Sequence, residues 1–255
     1  MMFVGDLMLD RDVRRSVFLN GDGRYGFLFK DAFFLREADV TFGNLEGPIS
    51  DKGENMGGLY SFRMSPQVGQ VLAWNGFDVL SIANNHIGDY GREALGDTLK
   101  ILKSFNIKAA GGGEDWEEAS RVKILDIRGI KIGFLAFSDV GPEWLAKEKK
   151  LPTILLAADK ERANLIKEAA SGVDYLIVSY HFGDEYQNEA SDRQRFLARE
   201  AIDLGAKIVV GHHPHVLQPI EEYKDGLIAY SLGNFIFDQK FSEETMKGAV
   251  LRISL

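Results

Sequence analysis

The sequence predicts an α/β fold built around a mixed sheet. Two observations carry that prediction. Short apolar runs alternate with amphipathic helical stretches along the whole chain. Two neighbouring runs, residues 122–127 and 131–138, are joined only through Arg128-Gly129-Ile130, so they pair as a hairpin, antiparallel. No repeat, low-complexity segment or linker divides the 255 residues, a length that suits one large domain, and the expectation is a single domain over 1–255.

Taken in order, the expected strands are residues 1–4, 40–42, 79–82, 108–110, 122–127, 131–138, 175–180, 208–210, 227–231 and 249–253. A helix is expected over about 92–105, with Leu95, Leu99 and Leu102 on one stripe. The clearest helix spans about 192–204. Ser191 caps it, Gln194 completes a capping box, Leu197, Ala201 and Leu204 share a face, and Gly205 stops it. Residues 51–58 and 139–151 read as loops, with glycine and charge in place of periodicity. The first strand meets Gly5-Asp6 after only four residues, whereas strands usually run five or six. The expectation is therefore that residues are missing ahead of Met1, and with them room for an anchor to the cell envelope.

Composition narrows the function classes. Hydrophobic residues make up 45% and charged residues 27%, as in an ordinary soluble globular protein. Without cysteine there are no disulfides, thiol nucleophiles or thiolate metal sites, so any metal is held by nitrogen and oxygen. The formal net charge is −8, and the only lysine cluster is Lys147, Lys149 and Lys150, which argues against nucleic acid as a partner. No apolar run reaches the roughly 20 residues of a membrane span, and no signal peptide is visible.

All five histidines sit in short polar segments that follow apolar strands. Five strand ends carry such residues: Gly5-Asp6, Gly43-Asn44-Leu45-Glu46, Ala83-Asn84-Asn85-His86, Ser179-Tyr180-His181 and Gly211-His212-His213-Pro214-His215. Ligands of open α/β sheets bind beyond the carboxyl ends of the strands, so these five ends could converge on a metal. Singly each is weak: an aspartate after glycine is usually a turn residue, and a lone strand-end histidine is usually structural. The combination, in this order, points to metal chemistry.

That order resembles the calcineurin-like metallophosphoesterase superfamily. More closely, the chain resembles the capsule-synthesis CapA family, associated with poly-γ-glutamate synthesis. The resemblance rests on the segments above, on Asp89-Tyr90-Gly91, on His181-Phe182-Gly183-Asp184-Glu185-Tyr186, and on Tyr230-Ser231-Leu232-Gly233-Asn234-Phe235-Ile236-Phe237-Asp238. It implies a two-sheet mixed β sandwich flanked by helices, with the site at one edge. It implies one or two divalent ions (manganese, zinc or iron), with Asp6, Asn85, His181, His213 and His215 as ligands. Glu46 or Asn44 would bridge, and Glu46 is preferred because a carboxylate neutralises two cations and an amide does not. His86 would be a general acid or a phosphate contact, oriented by Asp89. His212 would support the ligands from behind, and Arg11, Glu185 and Asn234 would line the substrate pocket. Two positions depart from the superfamily pattern. Met8 stands where a ligand histidine is usual, and Asn44 where aspartate is usual, so a single ion, or one tight and one loose, is expected.

Three functions follow. One is a metal-dependent phosphoesterase acting on an anionic substrate. Another is a non-hydrolytic assembly or export factor of the poly-γ-glutamate synthase machinery, with synthase components as partners. The weakest is a carbohydrate- or peptide-binding domain with loops 51–58 and 139–151 as its cleft. His86 favours an enzyme, because metal binding alone does not require it.

Overall fold

The structure, a computed structural model, describes residues 1–255. Its strands are β1 (Met2–Leu7), β2 (Thr41–Leu45), β3 (Val79–Ser81), β4 (Lys108–Ala110), β5 (Gly112–Gly113), β6 (Lys123–Ile127), β7 (Ile130–Ser138), β8 (Thr153–Ile154), β9 (Tyr175–His181), β10 (Ile208–His212), β11 (Ile220–Tyr223), β12 (Gly226–Ala229), β13 (Asn234–Ile236) and β14 (Leu251–Arg252). The helices are α1 (Arg11–Asn20), α2 (Gln67–Trp74), α3 (Gly91–Ser104), α4 (Trp116–Ser120), α5 (Glu143–Ala146), α6 (Arg162–Ser171) and α7 (Asp192–Asp203).

Two six-stranded sheets form the sandwich. The first runs β13-β1-β2-β3-β4, all parallel, with β14 antiparallel on the same edge of β1 that β13 uses further along. The second runs β11-β12-β10-β9-β7-β6, parallel in the middle and closed at each side by an antiparallel hairpin. A ribbon of β5 and β8 stands apart.

Period-two alternation assigns the faces. Phe134, Ile177 and Val210 of the second sheet enter the core shared with Phe3, Phe42 and Leu80 of the first. Phe42 stacks on Phe134 with ring centroids 5.7 Å apart. The intervening residues Leu135, Val178, Tyr180 and Val209 face outward and are covered by Ile166 of α6 and Leu197 and Ala201 of α7. At its carboxyl end, the inner face of the second sheet presents Ser138, His181 and His212 in register.

A register shift in β1 sets the other wall. Phe3 pairs with Phe42, but Asp6, three residues on, pairs with Asn44, only two residues on. Regular pairing would have placed Gly5 there. The extra residue turns Asp6 onto the inner face beside Asn44. Gly5 tolerates the crowding because it has no side chain: a Cβ would come within 1.9 Å of the Gly233 carbonyl oxygen.

The two expected helices form as α3 and α7, and both halves of the Ser191–Gln194 capping box are made. The hairpin turn is tighter than expected. Arg128 and Gly129 both take positive φ, 56° and 87°, and Ile130 already belongs to β7. β1 continues past Val4 to Leu7, because pairing on both edges holds Gly5-Asp6 extended. The loop expected at 139–151 contains α5. Helices α1, α2, α4 and α6 have no counterpart among the expected helices; in α1, Val13 and Val17 stand at helical spacing and are buried, but exposed Phe18 and Leu19 blur the stripe. No helix is long and apolar enough to cross a membrane.

Candidate metal centre

The carboxyl ends of β1, β2, β9 and β10 meet where the sheets face each other. Asp6, Asn44, Glu46, His181, His212, His213 and His215 are all buried there. His213 and His215 lie just past β10, with φ of 99° and 58°. Such angles are uncommon and strained for residues with a Cβ, and they persist where surrounding structure imposes them. Here the His213 backbone N–H donates to Asp6 Oδ2 at 3.3 Å, which ties the turn to β1.

Two potential ligand groups share this space. Asp6, Glu46 and His181 each offer an atom within 4.8 Å of the others, and so do Glu185, His213 and His215. The groups are contiguous. The His181 and His213 rings are 4.8 Å apart, His215 Nδ1 is 3.4 Å from Asp6 Oδ2, and His215 Nε2 is 3.4 Å from Glu46 Oε1. Asn85 Oδ1 is 2.8 Å from His181 Nε2, so its amide joins the first group.

The donor set fits a divalent cation. Glu46 Oε1 and His213 Nδ1 are buried without a hydrogen-bond partner, as are both ring nitrogens of His212. Buried polar atoms in this number are costly unless something satisfies them. They are hard oxygen and borderline nitrogen donors, suited to manganese, zinc or iron.

Electrostatics agree with that fit. Burial penalises the Asp6 carboxylate, but His212 and His215 outweigh it and hold its pKa well below the usual range. Burial pushes Glu46 well above the ordinary carboxylate range, against the pull of His215. Burial opposes protonation of His215 too, yet Glu46 and Asp6 lift it to about 9. Burial on one side and carboxylate neighbours on the other thus make both Glu46 and His215 hold protons more tightly than usual. Burial, reinforced by neighbouring imidazoles, lowers His181 far below its normal value and His213 to about 4, so both are neutral and ready to ligate.

Asn44 has a different place from the one the bridging alternative gives it. Its Nδ2 is 2.9 Å from Asp6 Oδ1 and 3.4 Å from Glu46 Oε2, while its Oδ1 accepts from Asn84. An amide N–H spanning two carboxylates is a spacer between them, which supports the preference for Glu46. Asn84, a motif residue to which sequence reasoning gives no role, is buried and braces the site. It donates to Asn44 Oδ1 and the Leu45 carbonyl, and its own oxygen receives the His86 N–H. A polar doublet straight after a buried strand was the signal for it. The Met8 sulfur receives the Asp10 N–H at 3.3 Å, so this thioether serves the turn into α1.

His86 stands at the mouth. Its Nδ1 is 2.8 Å from Asp89 Oδ2, which also receives the Phe62 N–H. Its ring packs on Phe62 at 4.1 Å, Phe62 meets Phe237 edge-on at 5.8 Å, and Phe237 lies 4.7 Å from His215. These two phenylalanines form an apolar floor between His86 and the buried histidines, which sequence reasoning missed because isolated aromatics carry no pattern. Asn234, opposite Asp6 in β13, holds His215 Nδ1 at 2.9 Å. Glu185, expected as a pocket residue, is exposed yet lies within ligand reach of His213 and His215. Arg11 flanks the floor, 5.4 Å over Phe62.

Comparison with known proteins converges on one family. The chain is 35% identical over 250 residues to the capsule biosynthesis protein CapA of Bacillus anthracis, covering 94% of this chain and 60% of that protein. It is 37% identical over 240 residues to the PGA biosynthesis protein CapA of Bacillus subtilis (strain 168), covering 93% and 63%. The chain thus spans about three fifths of the length of these relatives. A hypothetical protein from Thermus thermophilus shares the fold, with a TM-score of 0.54 at 17% identity over 91% of this chain and 75% of that one. Residues 1–239 match the model of the bacterial capsule synthesis protein family, PGA_cap, and with the strand-end motifs assembled as described, the chain belongs to that family.

Proposed function

We propose that this chain is a metal-dependent hydrolase of phosphoesters that serves poly-γ-glutamate capsule synthesis. The observation that carries the reading is the coexistence of a buried donor set with an acid–base pair that the donor set does not need. Asp6, Glu46, Asn85 and His181 would hold one ion, and His213, His215 and Glu185 a second, with Glu46 facing both. Bound cations in such a centre polarise a phosphoryl oxygen and acidify a water. The chain's own residues do the rest. Asn44 keeps the two carboxylates apart and oriented, His212 lies against Asp6 from behind at 3.4 Å, and Asn234 fixes the His215 ring. Asp89 holds the Nδ1 side of the His86 imidazole, which leaves Nε2 as the edge able to give a proton to a leaving oxygen. The Phe62 and Phe237 floor keeps water from the space between.

The link to capsule synthesis comes from the family and from relatives named for it. Synthase components are the expected partners. Metal analysis of the purified protein, followed by a phosphoester panel with added manganese or zinc, tests the reading. Bound metal with turnover is the expected result. Bound metal with no turnover of any phosphoester would favour the non-hydrolytic assembly or export role.

A further inference from the structure

Eight residues other than glycine adopt positive φ. Asp22, Asn106, Arg128 and Lys224 lie in ordinary turns. The other four are His213, His215, Tyr186 and Arg11. Tyr186 lies 6.2 Å from His215, so three of these four gather at the metal centre, and Arg11 is the fourth. Its φ is 49° at the first position of α1, where a helix wants about −63°. Helix formation does not require that strain. It fixes where the side chain goes.

The guanidinium lies over two aromatic rings, 5.6 Å from the Tyr60 centroid and 5.4 Å from Phe62. Phe62 is the ring that also packs on His86. Asp238 anchors the guanidinium from below, with Arg11 Nε 3.1 Å from its Oδ2. A structural arginine–carboxylate pair is commonly bidentate. Asp238 does not clasp the fork that way: its Oδ2 receives the Asp12 N–H at 3.2 Å, its Oδ1 stays buried and unpartnered, and the 3.1 Å approach of Arg11 Nε is an ion-pair contact. Asp238 is 2% exposed and Arg11 39%, so the anchor is buried while the head reaches solvent at the mouth of the centre. The two terminal nitrogens, the fork that recognises oxyanions, are left for something outside the chain.

We infer that Arg11, oriented by Asp238 and stacked on Tyr60 and Phe62, is an oxyanion clamp at the mouth of the metal centre. It binds a carboxylate or phosphoryl group of the ligand other than the one at the metals. This rests on the proposed function for its setting and adds a substrate class to it: ligands with at least two anionic groups.

Calorimetric titration of manganese-supplemented protein with triglutamate and, separately, with inorganic phosphate tests the clamp in the parent, Arg11→Lys and Arg11→Gln. The expected result is that Arg11→Gln weakens triglutamate about tenfold or more, the scale of a lost charged hydrogen bond, and leaves phosphate, which has no second anionic group, as in the parent. Arg11→Lys, which keeps the charge without the fork, should recover only part of it. Loss confined to phosphate, or equal loss on both, would place Arg11 at the metal-bound group and overturn the clamp. Parent protein that does not bind triglutamate, or an Arg11→Gln variant that binds it as the parent does, would overturn the clamp. Turnover plays no part in these readouts, so a protein that hydrolyses nothing sinks the phosphoesterase reading and leaves the clamp to be judged on binding.

Discussion

At the scale of single residues, ligand and acid–base roles separate by what each deletion removes. His213→Ala takes away a buried ring nitrogen with no other partner, and metal content should fall. His86→Ala removes a ring at the mouth that is bound to Asp89, so metal content should hold while turnover drops by about 10² to 10⁴. Metal stoichiometry and rate measured on both variants check the pair. Full activity in His86→Ala would point to the assembly role. A second expectation follows from the raised pKa of His215. As a ligand His215 would have to be neutral imidazole, and its pKa of about 9 lies above neutral pH, so metal binding there would expel a proton. Metal affinity should therefore rise with pH through neutrality and level off above about 9. Calorimetry at pH 7 in two buffers of different ionisation enthalpy should register that proton. His181 and His213 are already neutral and add none. The Met8 position is less open than sequence suggested. A histidine there must give up a buried site and the sulfur contact to Asp10, so Met8→His should cost stability before it could add a ligand.

At the scale of elements, the strand ends are positioned by backbone crowding that only glycine permits. A Cβ at Gly211 would come within 1.9 Å of the Tyr230 carbonyl oxygen, much as one at Gly5 would collide with Gly233. Gly5→Ala should force β1 away from β13, cost about 1–3 kcal/mol, and weaken metal binding because Asp6 follows directly. Denaturant unfolding and a metal titration on the same preparation check it, and unchanged metal affinity would detach the register shift from the site. Helix α7 offers the contrast. Ser191→Ala removes a cap made to the Gln194 N–H and should cost about 1 kcal/mol, with metal stoichiometry intact. Ten of the fourteen strands were legible as apolar runs; β5 and β8 are too short at two residues each, and β11 and β13 not buried enough, to leave one. The helices α1 and α6 were not legible, because exposed Phe18 and Leu19 blur the stripe of α1 and an arginine stands among the buried positions of α6.

At the scale of the whole molecule, the centre lies between two sheets, and a cation there binds both. Ligands from β1 and β2 would be cross-linked to ligands from β9 and the β10 turn. Metal at a hundredfold excess over its dissociation constant should add about 2.7 kcal/mol to stability. For a domain near this size that corresponds to a rise in melting temperature of about 5–10 °C. Chelator should reverse it. A melting temperature indifferent to manganese, zinc and iron, measured with and without chelator, is the outcome that speaks against a resident ion.

The sequence by itself determined the α/β class, a hairpin turning near Arg128-Gly129-Ile130, helices α3 and α7, and the strand-end motifs that carry the candidate ligands. Those are local matters: periodicity, capping and turn chemistry act within a few residues and leave a pattern in them. Only the tertiary structure decided that Asp6, and not Gly5, faces the second sheet, because a register shift depends on the partner strand. It decided that Asn44 points its amide nitrogen at both carboxylates, that Asn84 braces it, and that Glu185 reaches His213 and His215. It also decided that the Arg11 guanidinium sits against the buried Asp238 carboxylate. Each depends on groups tens to hundreds of residues apart in the chain, where one sequence carries no record of distance.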